Sequence, residues 1–401
     1  MTNSLNVLMQ NRDPKLWPGG DVIALNGFSE TMKKLGVLVL KDYSYASSIT
    51  KCDIVLSWNI NYPWVLSHLI HAKTIGKHFV VFCLNTSVND REYQRAIIKY
   101  SDGLIFLSTK EKEAVSHYLG VEIPHKKSYF IEIGVDSYYE SKNEELKRGV
   151  LCVGRIEKRK NQLSLIKACV SLNYPLTIVG KVADEEYYKE CLSSLTQNDK
   201  ITFIPYCTKK ELKDLYVKSK VIANVANLEP WGLTIREGGL SNCNALMTTN
   251  TYVKNKLPDV WWCDPSKYTD IQKKLQQAYE TPNSHLFHKL VRDKYNWEHQ
   301  TQQLVRALRG ITKKKPILLK TKDWAILSNL LNKQIDTTQN KLNESARLVH
   351  ELDNANKLKQ TAIEVLQKSE QEKQAAIESL RETLGQRHDF LHLLRKIFTL
   401  Q

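Results

Sequence analysis

The sequence predicts an α/β protein made of two consecutive doubly wound units, followed by one long coiled-coil helix. Three observations predict it. Short apolar runs bounded by turn residues alternate with polar helical stretches over most of the chain; this βα rhythm occurs twice; and the last seventy residues keep a heptad pattern without a proline. At 401 residues the chain has room for two to three units of roughly 150 residues. With 42% hydrophobic and 25% charged residues it has the composition of a folded protein.

In the first unit, residues 1–145, Val37-Leu38-Val39-Leu40, Asp53-Ile54-Val55-Leu56-Ser57, Phe79-Val80-Val81-Phe82 and the run from Gly103 to Ser108 read as buried strands. Helices are expected between them at about 63–76, 90–99 and 110–119. Unbroken apolar runs of this length fit parallel strands covered on both faces. The charged stretch from Glu140 to Arg148 reads as a linker.

The second unit, residues 146–320, repeats the rhythm. Strands are expected at Gly149–Gly154, Leu176–Gly180, Ile201–Ile204 and Val221–Val225, with helices at Gln162–Cys169, 184–195 and 208–217. Ligands of such sheets sit outside the carboxyl ends of the strands, here the loops after Gly154, Gly180, Ile204 and Val225.

Lys313-Lys314-Lys315-Pro316 punctuates the chain, and residues 321–401 read as a coiled-coil stalk. Steps of three and four from Ile335 through Leu342, Val349, Leu352, Ile363, Leu366, Ile377, Leu380 and Leu391 to Phe398 keep one frame for nine heptads. Asn356, Lys359, Glu370 and Lys373 make the middle of the seam polar, and Gly385 is a weak point. A helix of this length would span roughly 110 Å. The stripe predicts a homo-oligomer, two-stranded or three-stranded; a helix folded back over the globular part is the plainer alternative.

No run approaches the 18 apolar residues of a spanning helix, and Met1-Thr2-Asn3-Ser4 does not open a secretory signal. Eight cysteines, Cys52, Cys83, Cys152, Cys169, Cys191, Cys207, Cys243 and Cys263, form no C-x-x-C pair and read as reduced core thiols of a cytoplasmic protein without a zinc cluster. The net charge is +15; residues 332–401 hold 11 basic and 10 acidic residues, so +14 belongs to the first 331. That excess predicts an anionic partner. Zinc-finger, P-loop and compact arginine-rich signatures of nucleic-acid binding are lacking.

Two segments carry chemistry. Gly154-Arg155-Ile156-Glu157-Lys158-Arg159-Lys160-Asn161 joins a strand to a helix, where unpaired N–H groups with Arg155 and Lys160 can close around an anion. A charged loop on a basic surface has the same composition. In the segment from Asn227 to Gly239, Glu229 precedes a helix whose first turn offers the amides of Gly232, Leu233 and Thr234, and Glu237 follows eight residues on. One glutamate can hold a sugar and the other a ribose diol; equally, Glu229 can be a capping acid and Glu237 a surface acid.

Together the two segments resemble the donor site of the retaining glycosyltransferase family 4, with its GT-B fold of two facing Rossmann-like domains. The family's G-R-x(4)-K is matched by Arg155 and Lys160, and its E-x(7)-E by Glu229 and Glu237. Weaker matches are Gly19-Gly20, the run Ser101 to Ser108, Ile133-Gly134-Val135-Asp136 and Asn296-Trp297-Glu298, so the resemblance covers roughly residues 15–308. It implies an N-terminal acceptor domain and a C-terminal donor domain. It further implies that Arg155 and Lys160 bind the donor diphosphate, Glu229 the sugar and Glu237 the ribose, with Gly19, Gly20, Gly232, Leu233 and Thr234 near the nucleotide sugar. Tyr206, in the loop Pro205-Tyr206-Cys207, is expected beside the base. The sequence departs from the family pattern in two places. The turn after Glu237 carries Asn242 and Asn244 instead of glycine, and Phe82-Cys83-Leu84-Asn85-Thr86-Ser87 ends its strand without a histidine. His68, His71 and His78 read as structural.

The expected function is therefore metal-independent, retaining transfer of a sugar from a nucleoside diphosphate to a glycan or lipid-linked glycan, as in bacterial surface polysaccharide assembly. No D-x-D occurs and no cofactor or metal is expected. The basic surface suits peripheral contact with the cytoplasmic face of an anionic membrane. The rival reading is a coiled-coil scaffold carrying a degenerate transferase module.

Overall fold

The computed structural model describes residues 5–10, 20–41, 49–62, 64–84, 91–141, 147–283 and 285–383. Gly19, the middle of the linker at 142–146, Asn85-Thr86-Ser87, Gly385 and the last seam residues, Leu391 and Phe398, lie outside them. The chain forms two compact units, Met1–Leu330 and Leu331–Gln401.

The first unit holds two six-stranded sheets, parallel throughout. In the first sheet β1 (Asn6–Gln10), β2 (Leu38–Lys41), β3 (Ile54–Trp58), β4 (His78–Phe82), β5 (Gly103–Phe106) and β6 (Ser128–Phe130) lie in the order β2-β1-β3-β4-β5-β6. Around it run α1 (Gly20–Lys34), α2 (Trp64–Thr74), α3 (Arg91–Tyr100) and α4 (Thr109–Leu119). Every residue of β3, β4 and β5 is buried, which is why these strands read as apolar runs. The strand β1 is shorter in apolar terms, only Val7-Leu8-Met9 between two polar amides, and its place beside both β2 and β3 is set by tertiary pairing.

The second sheet is built from β7 (Val150–Val153), β8 (Leu176–Val179), β9 (Ile201–Ile204), β10 (Val221–Asn224), β11 (Asn244–Thr248) and β12 (Val260–Cys263) in the order β12-β11-β10-β7-β8-β9. Its helices are α5 (Gln162–Ser171), α6 (Glu185–Ser193), α7 (Lys209–Lys218), α8 (Leu233–Leu240), α9 (Tyr268–Glu280) and α10 (His285–Lys294). The strand order reverses at β7, so the crevice between the carboxyl ends of β7 and β10 is the switch point at which such sheets bind ligands.

The chain crosses between the sheets twice, side by side. Residues Ile131–Asp136 leave the first sheet, and Tyr295-Asn296-Trp297 return to it; Val135 N–H donates to the Tyr295 carbonyl at 2.7 Å, and Val135 bridges Asn296. The returning helix α11 (Trp297–Thr312) places Leu304, Val305, Leu308 and Ile311 in the core of the first sheet. Trp297 explains two glycines. A Cβ at Gly27 would lie 2.3 Å from its ring, and one at Gly134 2.6 Å, so only glycine admits the indole, which meets Phe28 edge-on at 5.2 Å.

Several motif residues are structural. Asp102 accepts from Lys73 Nζ at 2.5 Å, Phe79 N–H at 2.7 Å and Ile317 N–H at 2.6 Å, which ties α2, β4 and the segment after α11 together. His68 Nδ1 lies 3.1 Å from Ser57 Oγ, and burial pushes its pKa down to about 3, so it is neutral. Asn242 takes the left-handed conformation (φ 61) that glycine or asparagine tolerates, and Asn244 Nδ2 donates to the Ala278 and Thr281 carbonyls at 2.7 and 2.9 Å. In the polar turn after α8, Asn242 thus supplies the left-handed backbone that glycine would, and Asn244 ties the turn to the end of α9. The eight cysteines are free, and all but Cys207 are buried.

Helix α12 runs unbroken from Thr321 to Thr383. Its start belongs to the first unit, where Tyr100 OH donates to Asp323 Oδ1 at 2.7 Å and Leu327 is buried. In the second unit, taken by itself, Arg347–Glu351 and Asp353–Lys357 pair at 3.5 and 2.9 Å, one turn apart. These exposed pairs each stabilise a helix by only about 0.3–0.5 kcal/mol. Among the described residues no helix is long and apolar enough to cross a membrane.

Candidate functional site

At the switch point two loops are laced together. Gly154 follows β7 and Gly180 follows β8, and a Cβ at Gly180 would stand 2.1 Å from the Gly154 carbonyl oxygen. That close approach aims the loop 154–161 at β10. Asn161, itself left-handed at φ 56, donates from Nδ2 to the Val225 and Pro265 carbonyls at 3.2 and 3.1 Å. Across the gap Asn227 N–H donates to the Arg159 carbonyl at 2.8 Å, and Arg159 Nη1 to the Leu228 carbonyl at 2.9 Å.

This lacing brings Lys160 onto Glu229. Lys160 Nζ donates to Glu229 Oε2 at 2.6 Å; Asn224 Nδ2 donates to the same oxygen at 2.9 Å, and Gly232 N–H to Oε1 at 3.3 Å. Burial pushes the Glu229 carboxyl up, but Lys160 and the two amide donors outweigh it and hold the group below its ordinary value. Glu229 is therefore an ionised, immobilised acceptor in a nearly dry site. Sequence reasoning missed Asn224, which sits at the end of β10 and offers only its position as a signal.

Gly232 is the N-cap of α8 in the left-handed conformation (φ 63), where a Cβ would meet Met247 Cε at 2.7 Å. No side chain caps this helix, so the first-turn amides of Leu233 and Thr234 have no intrahelical acceptor and face the end at which anions are stabilised. Arg155 stands at the mouth with its side chain 64% exposed and only a 3.4 Å contact to Glu157, so it can swing onto a ligand.

Glu237 lies one turn along α8, buried, and accepts from Tyr216 OH at 2.8 Å. Burial raises its pKa to about 7, against the lowering from the tyrosine hydroxyl; Asp136 raises it further, and Lys209 lowers it. Asp136 accepts from Lys209 Nζ at 2.5 Å. Tyr206, after β9, is 80% exposed. The structure thus joins Lys160, Glu229 and Gly232 directly, leaves Arg155 and Tyr206 reaching into solvent, and gives Glu237 a partner of its own. Gly20 opens α1.

A second cluster went unread in the sequence, although Arg236 stands next to Glu237. Its guanidinium is buried, pairs with Glu132, and lies over the Tyr295 ring at 4.3 Å. Lys256 Nζ donates to the other Glu132 oxygen at 2.7 Å and to the Leu107 carbonyl at 2.9 Å. Trp231 and Leu233, flanking the cap, pack on the core of the first sheet. The loop that leads into α8 is thereby fastened to the opposite lobe. On that lobe, Asn59 and Leu84, just past β3 and β4, take positive φ values of 63 and 40. Among the described residues no group of three or more His, Cys, Asp or Glu side chains is placed to hold a metal ion.

Residues 139–297 match the sequence profile of glycosyl transferases group 1. This corrects the family reading: the matching profile is group 1, not the retaining family 4 that the motifs resemble. No curated protein matches the chain by sequence. Among solved structures, sucrose-phosphate synthase from Thermosynechococcus elongatus is similar with a TM-score of 0.65 at 13% identity, covering 78% of this chain and 100% of its own. HepE from Anabaena in complex with UDP gives 0.61 at 13% identity, covering 77% and 100%. The lipopolysaccharide outer core galactosyltransferase WaaB, in its apo form, gives 0.57 at 13% identity, covering 77% and 99%. At these identities the likeness shows the fold: two parallel-sheet lobes of the GT-B type.

Proposed function

We propose that the chain is a glycosyltransferase that moves a sugar from a nucleoside diphosphate to a glycan or lipid-linked glycan acceptor, with retained anomeric configuration and without a metal. The observation that carries this reading is the pair of half-buried Lys160 and buried Glu229 beside the start of α8, which no N-cap side chain closes, at the strand-order reversal of the second sheet. The group 1 profile over the same residues supports it, as does a fold shared with a protein solved with UDP bound.

The geometry suggests these roles. The ammonium of Lys160 spends one donor on Glu229 and has others for a diphosphate, which Arg155 and the amides of Leu233 and Thr234 complete. Ionised Glu229 accepts from sugar hydroxyls and fixes the ring. Glu237 takes the ribose, Tyr206 flanks the base, and Gly20 lies on the acceptor side. As the bond from the anomeric carbon to phosphate oxygen breaks, negative charge grows on the departing diphosphate, and Arg155 and Lys160 stabilise it. The acceptor hydroxyl attacks from the same face and passes its proton to a phosphate oxygen, giving glycoside and nucleoside diphosphate.

Residues 1–145 would form the acceptor domain, 146–320 the donor domain and 321–401 an oligomerising stalk. The +14 surface fits peripheral contact with the cytoplasmic face of an anionic membrane. The deciding experiment is a panel of UDP- and GDP-sugars, scored by thermal shift and by release of nucleoside diphosphate in EDTA. One donor that both stabilises the protein and turns over is expected. A panel with neither effect would favour the scaffold reading, and a strict need for Mg²⁺ would overturn the metal-free site.

A further inference from the structure

From the end of α11 into the first two residues of α12 the chain reads Lys313-Lys314-Lys315-Pro316-Ile317-Leu318-Leu319-Lys320-Thr321-Lys322, five lysines and no acid in ten residues. The transfer site uses none of them. All five lysines are exposed, and between them Ile317 is 37% and Leu318 75% exposed. Single exposed aliphatic residues are ordinary; an adjacent pair centred in a block of one charge sign is not.

The strap is held in this posture. Lys314 N–H donates to the Ile311 carbonyl at 3.0 Å, and the Lys314 backbone is hydrogen-bonded to His78. Ile317 N–H donates to Asp102 Oδ1 at 2.6 Å, and Lys320 N–H to Asp323 Oδ2 at 3.0 Å. The two nearby acids, Asp102 and Asp323, are thus turned inward onto backbone amides, and neither is spent on neutralising the strap lysines. Pinning the amide of Ile317 leaves the next side chain, Leu318, in solvent.

We propose that this strap is the membrane-docking element of the protein, with its lysines against anionic headgroup phosphates and Leu318 with Ile317 at the acyl boundary. The apolar pair selects the occupant. A dissolved polyanion such as nucleic acid rewards the cations alone, whereas a bilayer interface rewards cations and aliphatic side chains together. The inference rests on the membrane contact proposed above and gives it a location; it does not depend on the transfer reaction.

The test uses the full chain and sedimentation with vesicles of phosphatidylcholine, with and without phosphatidylglycerol. Binding to the anionic vesicles only, weakening with salt, is expected. Replacing Lys313, Lys314 and Lys315 together by Glu, or Leu318→Ser alone, should each lower partitioning about tenfold or more while melting temperature and donor turnover stay unchanged. Absence of wild-type binding would overturn the membrane contact itself. Wild-type-like binding by both variants would overturn the strap as its seat. Loss with the lysine variant but not with Leu318→Ser, together with binding to a labelled DNA duplex, would reassign the strap to a dissolved polyanion. Failure of donor turnover with strap-dependent vesicle binding would sink the transfer reading and leave this one standing.

Discussion

Glu229 and Lys160 neutralise each other in a site with little water, so either substitution alone leaves a buried charge behind. Glu229→Ala should reduce transfer more than tenfold, a loss above about 1.4 kcal/mol in the transition state, while nucleoside diphosphate still binds. Turnover within tenfold of wild type would remove the residue from the sugar site. Glu237 makes the opposite case. Its folded pKa, about 7, lies above the ordinary 4.5, so between those values the folded state holds a proton that the unfolded chain has released. Its contribution to stability therefore falls as pH rises from 4.5 to 7. Glu237→Gln should flatten that part of the melting-temperature profile and weaken nucleoside diphosphate binding by calorimetry. An unchanged profile would show that the carboxyl is not the titrating group. Arg236 and Glu132 form a third pair, buried between the sheets. Removing Glu132 alone should cost about 3–5 kcal/mol by stranding the guanidinium. The double replacement Glu132→Leu with Arg236→Met should cost less than the two singles combined, as a double-mutant cycle in urea would read.

At the scale of elements, strands buried on both faces were legible because apolar residues dominate them, with polar ones such as His78 and Asn224 at their ends; β3, β4, β5 and β10 lie within a residue or two of their expected ends. The strand β1 was not legible, because three apolar residues between Asn6 and Gln10 carry no periodicity and only pairing with β2 and β3 defines them. Nor was the return of α11 to the first sheet: its amphipathic stripe states that a face is buried, not against which core. The site divides in the same way. Lys160, Glu229 and Gly232 were singled out by strand–loop–helix placement together with the family resemblance, while Tyr216 and the Arg236 pair arise from contacts between segments far apart in sequence, and Asn224, only five residues from Glu229, carries no motif of its own. Trp297 is the side chain that three elements share, seated where Gly27 and Gly134 have no Cβ. Trp297→Ala should lower stability by about 3 kcal/mol or more. A urea midpoint shifted by under a third of that would mean the two glycines are not shaped by the ring.

At the scale of the molecule, the seam from Ile335 to Phe398 remains the basis for proposing an oligomer, since a lone helix with such a stripe is marginal in water. Light scattering of the full chain should give an integer multiple of 46.3 kDa, falling to one unit after truncation at Leu331. A full chain that stays monomeric at tens of micromolar (~10⁻⁵ M, where marginal coils associate) would retire the stalk as an oligomerising device. The two crossings between the sheets carry a consequence of a different kind. Because Val135 and Tyr295-Asn296 run adjacent and hydrogen-bonded, the lobes are tied along one short line, not at two distant points. Those covalent ties alone would leave a rotation about the line, and the Glu132–Arg236 pair, Lys256 on the Leu107 carbonyl and Trp231 with Leu233 on the first core restrain it further. A molecule bridging the cleft would then meet two lobes whose relative freedom is already cut by the chain and by these contacts, so little of the ordering cost of binding would fall on it.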